Sequence, residues 1–317
     1  MAGAIAGHLN PGTACRRIAG APVAPARAVR SLPRQVPAGR APACNRPGSE
    51  HSSNLSGWRV SDIRVFEQPL NERFRLMLRV EQLFERIEHH LAQDGYWDTH
   101  AALQALLELV QTVSRGDAKR ELIKELDRQR AALARYDELP AVDRSRLSAI
   151  LAEHERLLDG LHRNTGALGE EFRNNDLLVQ LQQRATAGGR PGMLELPSYQ
   201  EWLQRPAAER HDTIRRWLDP MASARGAIER ALAMVRDAGE WHELVASGGF
   251  FEQPLDQGGS IQLLRVRLDS GRAQHEFPEI SAGRQRFTIR FFRQGSPAER
   301  SSQPGSDVHF ELAFCGL

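Results

Sequence analysis

The sequence predicts an α+β fold, with an N-terminal helical domain followed by a C-terminal, mostly antiparallel β domain. Three observations lead there. From Asn71 to Ala238 apolar residues recur at helical spacing, interrupted by turn signals. At Gly248-Gly249 the period changes to two. Before about residue 60 no periodicity survives at all. Runs of helices followed by runs of strands make segregated layers, and the expected division is 1–60, 61–247 and 248–317.

Residues 1–60 are rich in Ala, Gly, Pro and Arg and hold seven of the 17 prolines, a composition of disorder. Eight arginines stand there against one acid, Glu50, while the rest of the chain carries 34 basic and 39 acidic groups. The net charge of +2 and the pI of 8.6 therefore describe the leader, and the remainder is mildly acidic. That argues against non-specific nucleic-acid binding, which draws on overall positive charge. Arg16-Arg17 and the Arg-rich, acid-poor composition admit a targeting reading, but Pro22, Pro25 and Arg27 break the segment that would serve as the apolar region. The preferred reading is translated upstream sequence with the start near Val60. Cys15, Cys44 and Cys315 offer neither a disulfide framework nor zinc spacing, which fits a reducing cytosol. No apolar run approaches the ~20 residues of a membrane span.

The body opens with a short strand, Ile63 to Phe66, ending at Pro69. Helices are expected at Asn71–Leu91, Thr99–Ser114, Asp117–Tyr136, Asp143–His162, Asn175–Ala187, Ser198–Arg205, Ala207–Leu218 and from Pro220 to Ala238. Asp117 suits an N-cap, and Gly116, Pro140, Gly160 and the loop Gly188–Gly192 are stops. Ile261–Leu268, Gln285–Arg293 and Val308–Phe314 alternate as strands, with weaker ones near Phe250 and Phe277, and Gly295–Gly305 reads as a flexible loop. The pentapeptide Phe-Glu-Gln-Pro-Leu occurs at Phe66–Leu70 and again at Phe251–Leu255; without a longer repeat around it, it reads as coincidence.

No phosphate loop, dinucleotide fingerprint or metal-ligand spacing is present in the sequence, so no cofactor and no metal are expected and the chain is not read as an enzyme. His89 and His90 diverge by about 100° on a helix and do not chelate one ion.

Arginine recurs on defined faces instead. On the first helix Phe74, Leu76, Met77, Val80, Leu83, Phe84, Ile87 and Leu91 share the apolar side, and the charges opposite are sorted by sign: Arg75, Arg79 and Arg86 on one line, Glu81, Glu85 and Glu88 on the far flank. Glu72 can screen Arg75, but Arg79 has no acid three or four residues on, which leaves a basic stripe. The stripe is either a solvated face or a site for an acidic partner. In Ile261–Leu268, Arg265 and Arg267 share the side opposite Leu264, Val266 and Leu268; in Gln285–Arg293, Arg286 and Arg290 lie opposite Phe287, Ile289 and Phe291. If both apolar faces pack on the helices, four arginines meet on one exposed sheet face with Arg284 at its edge. Guanidinium forks bind carboxylates bidentately and suit such a face to an acidic peptide. A nucleic-acid-binding module using the same face is the alternative, against which stands the expectation that only Phe292 projects beside Arg286 and Arg290.

Phe66-Glu67-Gln68-Pro69-Leu70-Asn71-Glu72 leading into a helix with Arg75 and Arg79, then Arg115-Gly116, Glu121 to Gln129, Phe277-Pro278-Glu279-Ile280-Ser281, Arg286 to Phe291 and His309 to Ala313 together resemble the ZapD family of bacterial cell-division proteins. The likeness runs in order from about Ile63 to the C-terminus. It implies a cytoplasmic, non-enzymatic homodimer recruited to the midcell division ring, which binds the C-terminal tail of the tubulin-like FtsZ, bundles its filaments and promotes ring assembly. It places tail binding on Arg75, Arg79, Arg115, Arg286 and Arg290; Arg265, Arg267 and Arg284 join them by the face argument. Neither a membrane nor nucleic acid is an expected partner. The leader has no counterpart in the family, and Gly188–Gly192 and Gly295–Gly305 match it loosely.

Overall fold

The structure, a computed structural model, describes residues 63–114, 117–136, 142–163, 166–186, 193–255, 261–269 and 275–317. The expected leader at 1–60, the turn at Arg115-Gly116 and the loop Gly188–Gly192 lie outside the described residues.

The fold is α+β as expected. Among the described residues β1 (Ile63–Pro69) precedes eight helices, α1 (Glu72–Leu91), α2 (Tyr96–Ser114), α3 (Ala118–Ala134), α4 (Arg144–Arg163), α5 (Asp176–Thr186), α6 (Pro197–Leu203), α7 (Ala207–Leu218) and α8 (Ala222–Asp237), with short 3-10 turns before α5, α6 and α8. Six strands follow: β2 (Trp241–Ala246), β3 (Phe250–Pro254), β4 (Ile261–Asp269), β5 (Glu276–Ala282), β6 (Arg286–Arg293) and β7 (Val308–Gly316).

Helix starts follow their caps. The Asn71 side-chain oxygen accepts the Phe74 N–H at 2.9 Å, satisfying one of the four free donors of the first turn, and its amide donates to Gln262 Oε1 at 2.6 Å, pinning the head of α1 to β4. Asp117 accepts the Arg120 N–H in the same way. The apolar stripe of α1 is buried, Phe74 and Ile87 completely, against α2 and α8. At about 1.5–3 kcal/mol for each large side chain withdrawn from water, this stripe sets how the helix lies.

The strands form two antiparallel sheets, one of four strands in the order β1-β4-β7-β2 and one of three in the order β3-β6-β5. The four-stranded sheet takes β1 and β2 from before residue 248 and β4 and β7 from after it. Here an expectation fails. The apolar faces of β4 and β6 pack on each other, with Leu264, Val266 and Leu268 meeting Phe287, Ile289 and Phe291, and Phe251, Phe291 and Phe287 touching Phe310 and Phe314 between the sheets. The opposite face of the four-stranded sheet meets the helices through Leu263, Ala313 and Cys315. Arg265 and Arg267 therefore lie on the helix side of one sheet and Arg286 and Arg290 on the outer face of the other, so the four do not share a face. Alternation assigns sides within a strand; it does not say which sheet the strand joins.

The repeated pentapeptide has a structural counterpart, so the reading as coincidence is corrected. Both copies end an edge strand. In the first, Pro69, Glu67, Phe66 and Val65 stand opposite Leu263, Arg265, Val266 and Arg267. In the second, Pro254, Glu252, Phe251 and Phe250 stand opposite Arg286, Thr288, Ile289 and Arg290 at identical offsets. Leu70 N–H reaches Gln262 O at 2.9 Å, and Leu255 N–H reaches Gln285 O at 2.8 Å. The correspondence continues one strand further, with Arg267 opposite Glu311 and Arg290 opposite Glu279.

Candidate functional site

The charge sorting on α1 is largely a packing signature. On the acidic flank, Arg236 of α8 donates to both oxygens of Glu81 at 2.7 Å and to Glu67 of β1 at 2.7–2.9 Å, and Arg225 of α8 holds Glu88 while lying over the Phe84 ring. Burial works to lower the pKa of Arg236, and the Glu81 and Glu67 carboxylates outweigh it, so the guanidinium is held above its ordinary value. Burial, then the Glu81 charge, pushes the Glu85 carboxyl up. The flank is acidic because α8 presents arginine to it.

The basic line is not fully unneutralised either. Arg79 pairs with Glu108 of α2, and Arg86 reaches the same carboxylate at 3.2 Å. An acid 29 residues away is invisible to spacing rules along one helix. One carboxylate between two guanidiniums still leaves the stripe net positive. Arg75 pairs with Glu72, as its spacing predicts, and keeps about half of its side chain exposed.

Of the sheet arginines, two are occupied. Arg265 pairs with Glu67 at 2.9 Å and lies 5.3 Å from the centre of the Trp241 ring. Arg267 makes a bidentate pair with Glu311 and lies 4.5 Å over the same ring. The Glu311 hydrogen bonds raise the Arg267 pKa. The outer face of the three-stranded sheet is different. Arg286 donates to Glu252 at 2.8 Å yet remains 71% exposed, Arg284 is exposed at the β5–β6 turn, and Arg290 lies 5.9 Å from the centre of the Phe250 ring with no carboxylate partner among the described residues. Phe292 stacks on Phe277 with centroids 6.0 Å apart, and Phe250 is 37% exposed. Three phenylalanines thus share this face where one was expected, because Phe250 and Phe277 arrive from neighbouring strands whose register the sequence does not reveal.

Those that are not held against the helix side of the four-stranded sheet fall into two groups: Arg75 and Arg79, with Arg86, on α1; and Arg286 and Arg290 on the outer β face, with Arg284 at the β5–β6 turn. The four-stranded sheet is layered between the helices and the second group. Arg115 lies outside the described residues. Exposed guanidiniums beside phenyl rings can hold carboxylates while the rings cover apolar side chains of an extended peptide.

Among the described residues no helix is long and apolar enough to cross a membrane.

A family model described as ZapD, cell division protein, matches residues 78–290. The chain is 36% identical over 253 residues to the cell division protein ZapD of Cupriavidus necator, covering 80% of this chain and 99% of that one. It is 37% identical over 250 residues to its namesake in Chromobacterium violaceum, covering 79% and 98%. To that of Methylococcus capsulatus it is 35% identical over 255 residues, covering 80% and 98%.

Proposed function

We propose, from the premise that this chain belongs to the ZapD family of non-enzymatic cell-division proteins, that it binds the acidic C-terminal tail of FtsZ through exposed arginines and, as a homodimer, cross-links and bundles FtsZ filaments in the midcell ring. The observation that carries the reading is Arg290: an exposed guanidinium beside an exposed phenyl ring, on the same face of β6 as Arg286 and with no carboxylate partner of its own among the described residues. Arg75, Arg79 and Arg115 remain in the proposed site through the family resemblance. Arg265 and Arg267 stand in it less well, since each already lies in an ion pair, Arg265 with Glu67 and Arg267 with Glu311.

Weak, charge-driven sites on a dimer give reversible cross-links whose strength grows with filament density. They also weaken with salt, because at ~0.1 M the screening length is only about 10 Å. Co-sedimentation with FtsZ filaments, with and without the FtsZ tail, tests the reading. Arg290→Glu or Arg79→Glu is expected to abolish pelleting while the circular dichroism stays unchanged. Pelleting that survives both substitutions, or is indifferent to removal of the tail, overturns the assignment, and a monomer by light scattering overturns cross-linking. The three phenylalanines favour single-stranded nucleic acid as the second reading, since bases stack on such rings; a filter-binding assay separates the two.

A further inference from the structure

Among the described residues the two sheets have four edge strands, and three contain a proline: Pro69 in β1, Pro254 in β3 and Pro278 in β5. All three occupy positions whose backbone points away from the sheet. Leu70 N–H bonds inward to Gln262 O, so the preceding Pro69 faces out; Leu255 N–H bonds to Gln285 O, so Pro254 faces out. Phe291 N–H bonds to Gly249 O, towards β3, which leaves Pro278, its partner across β5, facing out. A proline there removes a donor that an incoming strand needs, and so closes the edge to further pairing.

β2 is the fourth edge strand and has no proline. Gln262 faces β1, so by alternation Arg265 and Arg267 bond to β7, through Ala313 and Glu311. Val308, Phe310 and Leu312 are left to bond Ala246, Leu244 and His242 of β2. Trp241, Glu243 and Val245 then turn their N–H and C=O groups outward. Among the described residues no strand pairs with this edge, and His242 and Glu243 are exposed and Val245 is 43% exposed.

Its side chains select a charge. Glu243 stands directly opposite Glu311, whose carboxylate Arg267 already holds, and Glu243 has no ion pair of its own among the described residues. Like charges opposite one another across strands are destabilising, and a basic residue on a new neighbouring strand relieves them. Two copies of β2 meeting with Glu243 opposite Glu243 would bring more acid to acid, and in the registers that avoid this Glu243 meets Trp241 or Val245 and gains no cation, so charge favours a basic partner over a second copy.

We propose that the β2 edge receives an extended segment of a partner protein as an additional strand, with lysine or arginine opposite Glu243 and an apolar residue opposite Val245. The inference is independent of the tail-binding site and calls for the opposite charge in its ligand.

The probe is a fluorescent heptapeptide of threonine alternating with valine, with lysine replacing the central valine, titrated into the full chain by anisotropy. A glutamate counterpart is expected to bind about five- to tenfold more weakly, and Glu243→Lys to invert the preference. Val245→Pro copies what the other edges carry and removes only an outward N–H; it is expected to abolish binding with the melting temperature unchanged. Arg290→Glu is expected to leave binding intact. The proposal is overturned if neither peptide binds, if Val245→Pro still binds, if Glu243→Lys does not change the preference, or if Arg290→Glu removes binding. It is also overturned if the wild-type chain self-associates through a contact that Val245→Pro abolishes, since the edge would then serve a second copy.

Discussion

Arg267 and Arg290 occupy equivalent positions in the two sheets, opposite Glu311 and Glu279 respectively, and of the two only Arg267 forms an ion pair among the described residues. The same strand arrangement serves twice, once closed on itself and once open. In the four-stranded sheet the guanidinium is held by a carboxylate and covered by Trp241. In the three-stranded sheet the corresponding guanidinium is exposed beside a phenyl ring.

The difference predicts opposite outcomes for the same substitution. Arg267→Ala leaves Glu311 facing Glu243 without the cation that holds it and is expected to cost about 1–2 kcal/mol, read from the urea midpoint. Arg290→Ala is expected to stay within about 0.5 kcal/mol of wild type. Equal losses for the two would erase the distinction.

Arg236 joins three elements, and removing it leaves two carboxylates with less compensation. Arg236→Met is expected to destabilise by about 2–3 kcal/mol, somewhat below a fully buried pair because the side chains of Glu67 and Glu81 are 20% and 16% exposed. Glu81→Gln leaves Arg236 with Glu67 and is expected to lose about half as much. Scanning calorimetry reads both; an unshifted melt for Arg236→Met contradicts the role given to it.

Stability is also expected to fall with acid through His100. Burial lowers the pKa of this imidazole, and its Nδ1 lies 2.8 Å from the Tyr199 hydroxyl, whose own pKa burial raises, so a neutral ring accepts the Tyr199 O–H. A base whose folded pKa is depressed binds protons first in the unfolded chain. Its contribution is therefore complete above the ordinary value of 6.5 and is lost as pH falls from there towards the folded pKa. Urea midpoints of the wild type should drop more between pH 7.5 and pH 5 than those of His100→Gln. Parallel pH curves would remove His100 from the account.

Much of this was legible in advance, for identifiable reasons. The stripe on α1 and the caps Asn71 and Asp117 are local, and local pattern carries them. α2 begins at Tyr96, ahead of the expected Thr99, because its first turn carries exposed Trp97 and breaks the apolar rhythm. β2 leaves no signal in the sequence, since Trp241 to Ala246 is a half-exposed edge without clean alternation. Alternation places the arginines on their faces strand by strand, but the pairing of β4 with β1 and β7, and of β6 with β3 and β5, depends on long-range register. Glu108 beneath Arg79, and Phe250 and Phe277 around the outer β face, became visible only once elements far apart in sequence were side by side.

The strand order also has a consequence for timing. β1 pairs with β4 nearly two hundred residues later, and β7, last in sequence, is an inner strand between β4 and β2. During synthesis the helices can assemble from neighbours along the chain, but the four-stranded sheet cannot close until β7 has emerged. Until then β1 and β4 lack their final surroundings and the inter-sheet core is open. Loop closure over such distances is slow, and exposed strands in a growing chain are prone to wrong pairing. The outward prolines on β1, β3 and β5 therefore protect the nascent chain as well as the finished one, by denying stray strands a complete set of donors while the sandwich waits for its last member.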